Sequence, residues 1–83
     1  MKVLKFYATW CEPCKMLSRI IEDAGDKITV PIQNINIEED MDTALEYGIR
    51  SVPVMVLVDE QGQEIKRQVG MVMEDKLMEF LTV

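Results

Sequence analysis

The sequence predicts an α/β domain in which a four-stranded mixed sheet, in the order β-α-β-α-β-β-α, is covered by helices on both faces. Three observations lead there. A short apolar segment, Val3 to Ala8, runs into a stripe of helical period. A continuous apolar run, Val54 to Val58, has the character of a strand buried on both faces. A charged, alternating segment follows it across a tight turn.

Val3 to Ala8 is apolar, aromatic or β-branched except for Lys5, and it reads as the first strand. Beyond it Leu17, Ile20, Ile21 and Ala24 recur at helical spacing, with Gly25 as the stop. Thr29 to Ile37 reads as an outer strand, with Pro31 near its start, where proline is best tolerated. Met41, Ala44 and Leu45, closed by Gly48, fit a short helix, and Glu38, Glu39, Asp40 and Asp42 suit the positive end of its dipole.

Pro53 opens the buried run Val54 to Val58, the expected centre of the sheet. Asp59 to Gly62 makes a turn into Ile65, Arg67 and Val69, which alternate with Glu64, Lys66 and Gln68 as a charged edge strand. Met73, Leu77, Phe80 and Leu81 form the apolar stripe of a last helix. The first strand-helix-strand passage should be parallel and the final two strands an antiparallel hairpin. The seven methionines are expected mainly in packing roles.

Eighty-three residues, 48 % hydrophobic and 29 % charged, suit one globular domain spanning residues 1–83, with no internal linker or repeat. No apolar run approaches the roughly 20 residues of a membrane span, and Lys5 interrupts any signal-peptide core, so a cytoplasmic location and no membrane partner are expected. A net charge of −6 opposes nucleic-acid binding. The absence of histidine excludes Ser-His and Cys-His catalytic pairs.

Chemistry concentrates between Trp10 and Lys15. Cys11 and Cys14, spaced two residues apart where a strand gives way to a helix, fall in the first helical turn and can bridge with little rearrangement. Unpaired N–H groups and the helix dipole favour an anion there, and such sites lower a thiol pKa from about 8.5 to roughly 3.5–7.5. Cys11 is the expected nucleophile and Cys14 the resolving thiol.

Lowering a pKa from about 8.5 to about 7 raises the thiolate fraction roughly fifteenfold but lowers nucleophilicity about five- to sixfold. Alignment of the substrate disulfide and the intramolecular second thiol must therefore supply most of the rate. Pro13 costs no hydrogen bond in the first turn and fixes the spacer. Trp10 is expected to shield the site and contact substrate. Glu12 complements the helix dipole but disfavours a neighbouring thiolate. A metal is not expected, because two cysteines without histidine are half a ligand set.

With Ala8, Trp10, Cys11, Pro13, Cys14 and Lys15 in this order, followed by Tyr47 to Pro53 and by Val69-Gly70, the chain resembles the thioredoxin family over nearly its whole length. It lacks that family's amino-terminal strand and helix and so resembles a minimal version. The resemblance implies a thioredoxin-like fold and protein-disulfide reduction through a redox-active Cys11–Cys14 disulfide with no bound cofactor. It also implies a cis Pro53, a Val52 backbone that pairs with an extended substrate segment, and close approach of the partner at Gly70 and Met71. The implied partners are disulfide-containing proteins and a thioredoxin reductase or similar electron donor, with the protein acting as a monomer. Glutathione-dependent, glutaredoxin-like chemistry is the alternative, though Met71, Val72 and Met73 do not resemble a glutathione clamp.

Four positions depart from the pattern. Lys5 stands where the family has a buried aspartate, and Asn34 where a lysine commonly accompanies it. Either Lys5 is buried and charged, favouring a Cys14 thiolate while Glu12 or water relays the proton, or its ammonium reaches solvent and plays no part. Glu12 replaces the usual glycine and should alter redox poise. Arg19 stands where a helix-kinking proline is frequent, so a straighter first helix is expected.

Overall fold

Five consecutive apolar residues, Val54–Val58, are each 2 % exposed or less, and this strand lies inside the sheet with helices on both of its faces. The computed structural model describes residues 1–82. Its elements are β1 (Lys2–Tyr7), α1 (Glu12–Ala24), a 3-10 turn (Gly25–Lys27), β2 (Ile32–Asn36), α2 (Met41–Glu46), β3 (Val54–Val58), β4 (Glu64–Val69) and α3 (Glu74–Leu81). The strand order is β2-β1-β3-β4, with β1 parallel to β2 and antiparallel to β3, and β3 antiparallel to β4. This is the four-stranded mixed sheet and element order expected from the sequence.

Strand alternation divides the interior in two. Val3, Met55 and Leu57 pack with Leu17 and Ala24 of α1 and with Leu77 and Phe80 of α3. Leu4, Phe6, Val54, Val56 and Val58 face the other way and pack with Ile35 of β2 and Ala44 of α2. Lys5 shares the face of Val3, in register with Met55 of β3 and Asn34 of β2. A single charged side chain thus enters the layer between β1 and α1.

Several expectations need correction. The outer strand is shorter than Thr29 to Ile37, because Pro31 lacks an N–H and ladder pairing begins at Ile32; the Pro31 carbonyl still accepts from Val3 N–H at 2.9 Å. α1 ends at Gly25, whose φ of 50° favours glycine, and a 3-10 turn that the sequence did not announce follows. α2 packs through Ala44 and Tyr47, which turns Met41 and Leu45 outward at 63 % and 73 % exposed. Of the methionines, Met55 is buried, whereas Met1, Met16, Met41 and Met73 are exposed, so a mainly packing role does not hold for the set. Met73 precedes α3 as its N-cap instead of sharing the Leu77–Phe80 stripe.

Candidate active site

β1 ends at Tyr7, and the turn through Thr9 and Trp10 is closed by Cys11 N–H donating to the Ala8 carbonyl at 3.2 Å. This turn delivers Cys11 to the N-cap of α1 with an extended backbone, φ −93° and ψ 107°. Pro13 occupies the first turn, where its missing N–H has no helical acceptor to serve. The next free donor, Cys14 N–H, lies 3.1 Å from Cys11 Sγ and donates to it. A sulfur here plays the part that a Ser or Asp oxygen plays at most helix N-termini, and negative charge on it is favoured by the dipole.

Cys11 and Cys14 are joined in a disulfide with Cα atoms 5.3 Å apart, a spacing that the helical turn itself supplies. Both are buried, packed with Ala8 and against Tyr7, Ile37 and Val52. The Val52–Pro53 peptide is cis, as the resemblance implied, and the Val52 carbonyl lies 3.7 Å from Cys11 Sγ. Gly70 N–H donates to the Pro53 carbonyl at 2.8 Å, which ties the end of β4 to the same loop. Gly70 has φ 91°, and a Cβ built on it would meet no atom within 4 Å, so it is the backbone conformation and not crowding that calls for glycine.

Not every predicted residue converges equally. Trp10 flanks Cys11 and is 66 % exposed. Glu12 directs its carboxylate to Lys15 Nζ at 3.1 Å on the outer surface, a pair too exposed to contribute much stability. Met71 is half-buried and packs onto the core of α1 and α3, leaving Val69 and Met73 as the exposed apolar side chains on either side of Gly70. The sequence put Val69 on the charged edge strand and Met73 on the apolar stripe of the last helix; the fold turns both side chains outward. α1 is continuous from Glu12 to Ala24 across Arg19.

Lys5 is 4 % exposed, so the alternative in which its ammonium reaches solvent is set aside. Nζ donates to Ser18 Oγ at 2.5 Å and Asn34 Oδ1 at 3.1 Å and stands 5.6 Å from the Tyr7 ring centroid. Burial pushes the ammonium below the ordinary lysine range, and the charge of Glu22 partly opposes that shift. Ser18 and Glu22 were missed from the sequence; their one signal is position, since Cys14, Ser18 and Glu22 recur every four residues along one face of α1.

Among the described residues, no group of three or more His, Cys, Asp or Glu side chains is placed to hold a metal ion, and no helix is long and apolar enough to cross a membrane.

Comparison with known proteins agrees with this geometry. The family model described as Thioredoxin matches residues 1–83. A thioredoxin from Rickettsia conorii is 33 % identical over 81 residues, covering 95 % of this chain and 76 % of the relative. A thioredoxin-like protein from Synechocystis is 37 % identical over 83 residues, covering 98 % of this chain and 78 % of the relative. Among solved structures, a mutant thioredoxin from Halobacterium salinarum superposes with a TM-score of 0.85 at 33 % identity, over 95 % of this chain and 69 % of that one. A thioredoxin from Nicotiana alata superposes with a TM-score of 0.83 at 38 % identity, over 94 % and 67 %. With a Cys11–Cys14 disulfide at a helix N-terminus facing a cis-proline loop, and with these relatives, the chain belongs to the thioredoxin family of thiol-disulfide oxidoreductases.

Proposed function

We propose that the protein reduces disulfides in other proteins, with Cys11 as attacking thiolate and Cys14 as resolving thiol. The observation that carries this assignment is the donation of Cys14 N–H to Cys11 Sγ at the N-cap of α1, which favours charge on the Cys11 sulfur. Cys11 thiolate attacks one sulfur of the substrate disulfide; that S–S bond breaks, a mixed disulfide forms, and the first substrate sulfur leaves as a thiolate that takes up a proton. Cys14, deprotonated, then attacks Cys11 Sγ, expelling the second substrate thiolate and leaving Cys11–Cys14 oxidised. Two electrons have passed to the substrate.

The substrate segment lies extended along Val52 and Pro53, with Trp10, Pro13, Gly70 and Met71 around it. The Val52 carbonyl beside Cys11 Sγ and the exposure of Trp10 support that placement. Electrons return from a thioredoxin reductase or similar dithiol donor. The chain works as one domain, residues 1–83, as a monomer, and in the cytoplasm.

Dithiothreitol-driven reduction of insulin tests the reading. The intact protein should be active, Cys11→Ser inactive, and Cys14→Ser should accumulate mixed disulfides with the substrate. An inactive but folded protein with two free thiols would refute it.

A further inference from the structure

We infer that Lys5 is a positioning residue for the redox couple, a buried cation whose charge favours the dithiol form of Cys11 and Cys14 over the disulfide. Among the described residues Lys5 is the one buried charged side chain, and it is held beneath the helix that carries both cysteines. Its ammonium is anchored on Ser18 Oγ, and Ser18 stands one helical turn from Cys14, a rise of about 6 Å along the axis. Recesses of about 460 and 420 Å³, one floored by Lys5 and Asn34 and the other reaching Cys14, share Tyr7, Ser18 and Glu22 along their common wall. Lys5 and Cys14 are themselves only 4 % and 2 % exposed, so charges on them act on each other across Ser18 with less screening than surface charges would feel.

The direction follows from which redox state carries the charge. The disulfide is neutral and gains nothing from a nearby ammonium. The reduced pair gains whenever a thiolate forms, and Cys14, only 2 % exposed, has little water to stabilise its anion. Other charges facing the layer between β1 and α1 are Glu22 from α1, which opposes Lys5, and Lys15 and Arg19 at the rim of the Cys14 recess. Lys15 and Arg19 are exposed, and Lys15 is already paired with Glu12, so salt screens both. From β2 the layer receives the neutral amide of Asn34 and from β1 the Tyr7 ring.

The inference rests on the Cys11–Cys14 couple proposed above but not on which cysteine attacks, because an equilibrium constant is independent of route. The test is the thiol-disulfide equilibrium with glutathione at pH 7 in about 1 M salt, where the Debye length is about 3 Å. For Lys5→Met, the constant for forming the reduced protein should fall at least about tenfold, equivalent to about 30 mV for a two-electron couple. Ultraviolet titration of the reduced variant should show thiolate formation moved upward by about one pH unit.

Glu22→Gln, measured in about 0.01 M salt because Glu22 is exposed and would be screened at about 1 M, removes the opposing charge without touching the core and should shift the equilibrium about two- to threefold the other way. A folded Lys5→Met protein within twofold of the parent overturns the proposal. If that variant does not fold, an unmoved equilibrium in Glu22→Gln overturns it alone. Inactivity of the parent toward insulin with these shifts intact would count against the substrate reading and leave the role of Lys5 standing.

Discussion

The guanidinium of Arg67 donates to the backbone carbonyl of Tyr47 at 2.7 Å, so a side chain of β4 caps the last turn of α2. The same guanidinium grips Glu64 through two hydrogen bonds, of 2.8 and 2.7 Å, and Tyr47 Oη donates to the Gly62 carbonyl at 2.7 Å. α2 is thereby pinned to the β3–β4 hairpin, on the side of the sheet opposite α1. A cation at a helix C-terminus also meets the negative end of the dipole.

Arg67→Ala should cost about 1–2 kcal/mol in urea unfolding, since it uncaps α2 and strands the Glu64 carboxylate. The Arg67 hydrogen bonds hold the Glu64 carboxyl below its ordinary 4.5. A depressed carboxylate contributes stability above its unfolded pKa and loses it as pH falls through the folded one. The gap between parent and Glu64→Gln should therefore be present at pH 7 and close below pH 4.5, staying under about 1 kcal/mol because the pair is partly exposed.

Lys5→Met should stabilise the oxidised protein by about 1 kcal/mol at pH 7, since Ser18 and Asn34 can turn to water while a buried charge disappears. The folded pKa of Lys5 lies below its ordinary 10.5, so its charge costs stability at every pH under the folded value. That cost is relieved as pH rises from the folded value to 10.5. The advantage of the variant should shrink over that interval; an advantage that grows with pH would contradict the assignment.

Gly70→Ala should lose about 1–2 kcal/mol of stability, because an L residue is strained at φ 91° although its Cβ has open space. Thermal unfolding of the pair checks this. If the partner also approaches closely here, kcat/KM toward a protein disulfide should fall further than toward a small one.

Trp10→Ala should leave stability within about 0.5 kcal/mol, as expected for a side chain 66 % exposed, while kcat/KM on insulin falls about tenfold. Steady-state kinetics beside a denaturation curve separate the two effects. Equal activity would remove Trp10 from the substrate surface.

Much of this arrangement is legible in the residues because local and global signals agree. Val54–Val58 cannot be other than a doubly covered strand, and Cys11 to Cys14 at a strand-helix junction dictates its own geometry. The illegible parts depend on how elements rotate against one another. Helical spacing marked Met41 and Leu45 as apolar but could not show that α2 docks through Ala44 and Tyr47. A lysine inside an apolar strand allowed two outcomes, and the choice was made by Ser18 and Asn34, which come to Lys5 from 13 and 29 residues away.

The central claim, that Cys11 is the thiol poised to attack, is tested most directly by brief alkylation of the reduced protein with iodoacetamide near neutral pH, followed by peptide mass mapping. The account predicts that Cys11 is modified at least about tenfold faster than Cys14, reflecting both its thiolate character and its place at the helix terminus. Equal rates, or faster modification of Cys14, would contradict it.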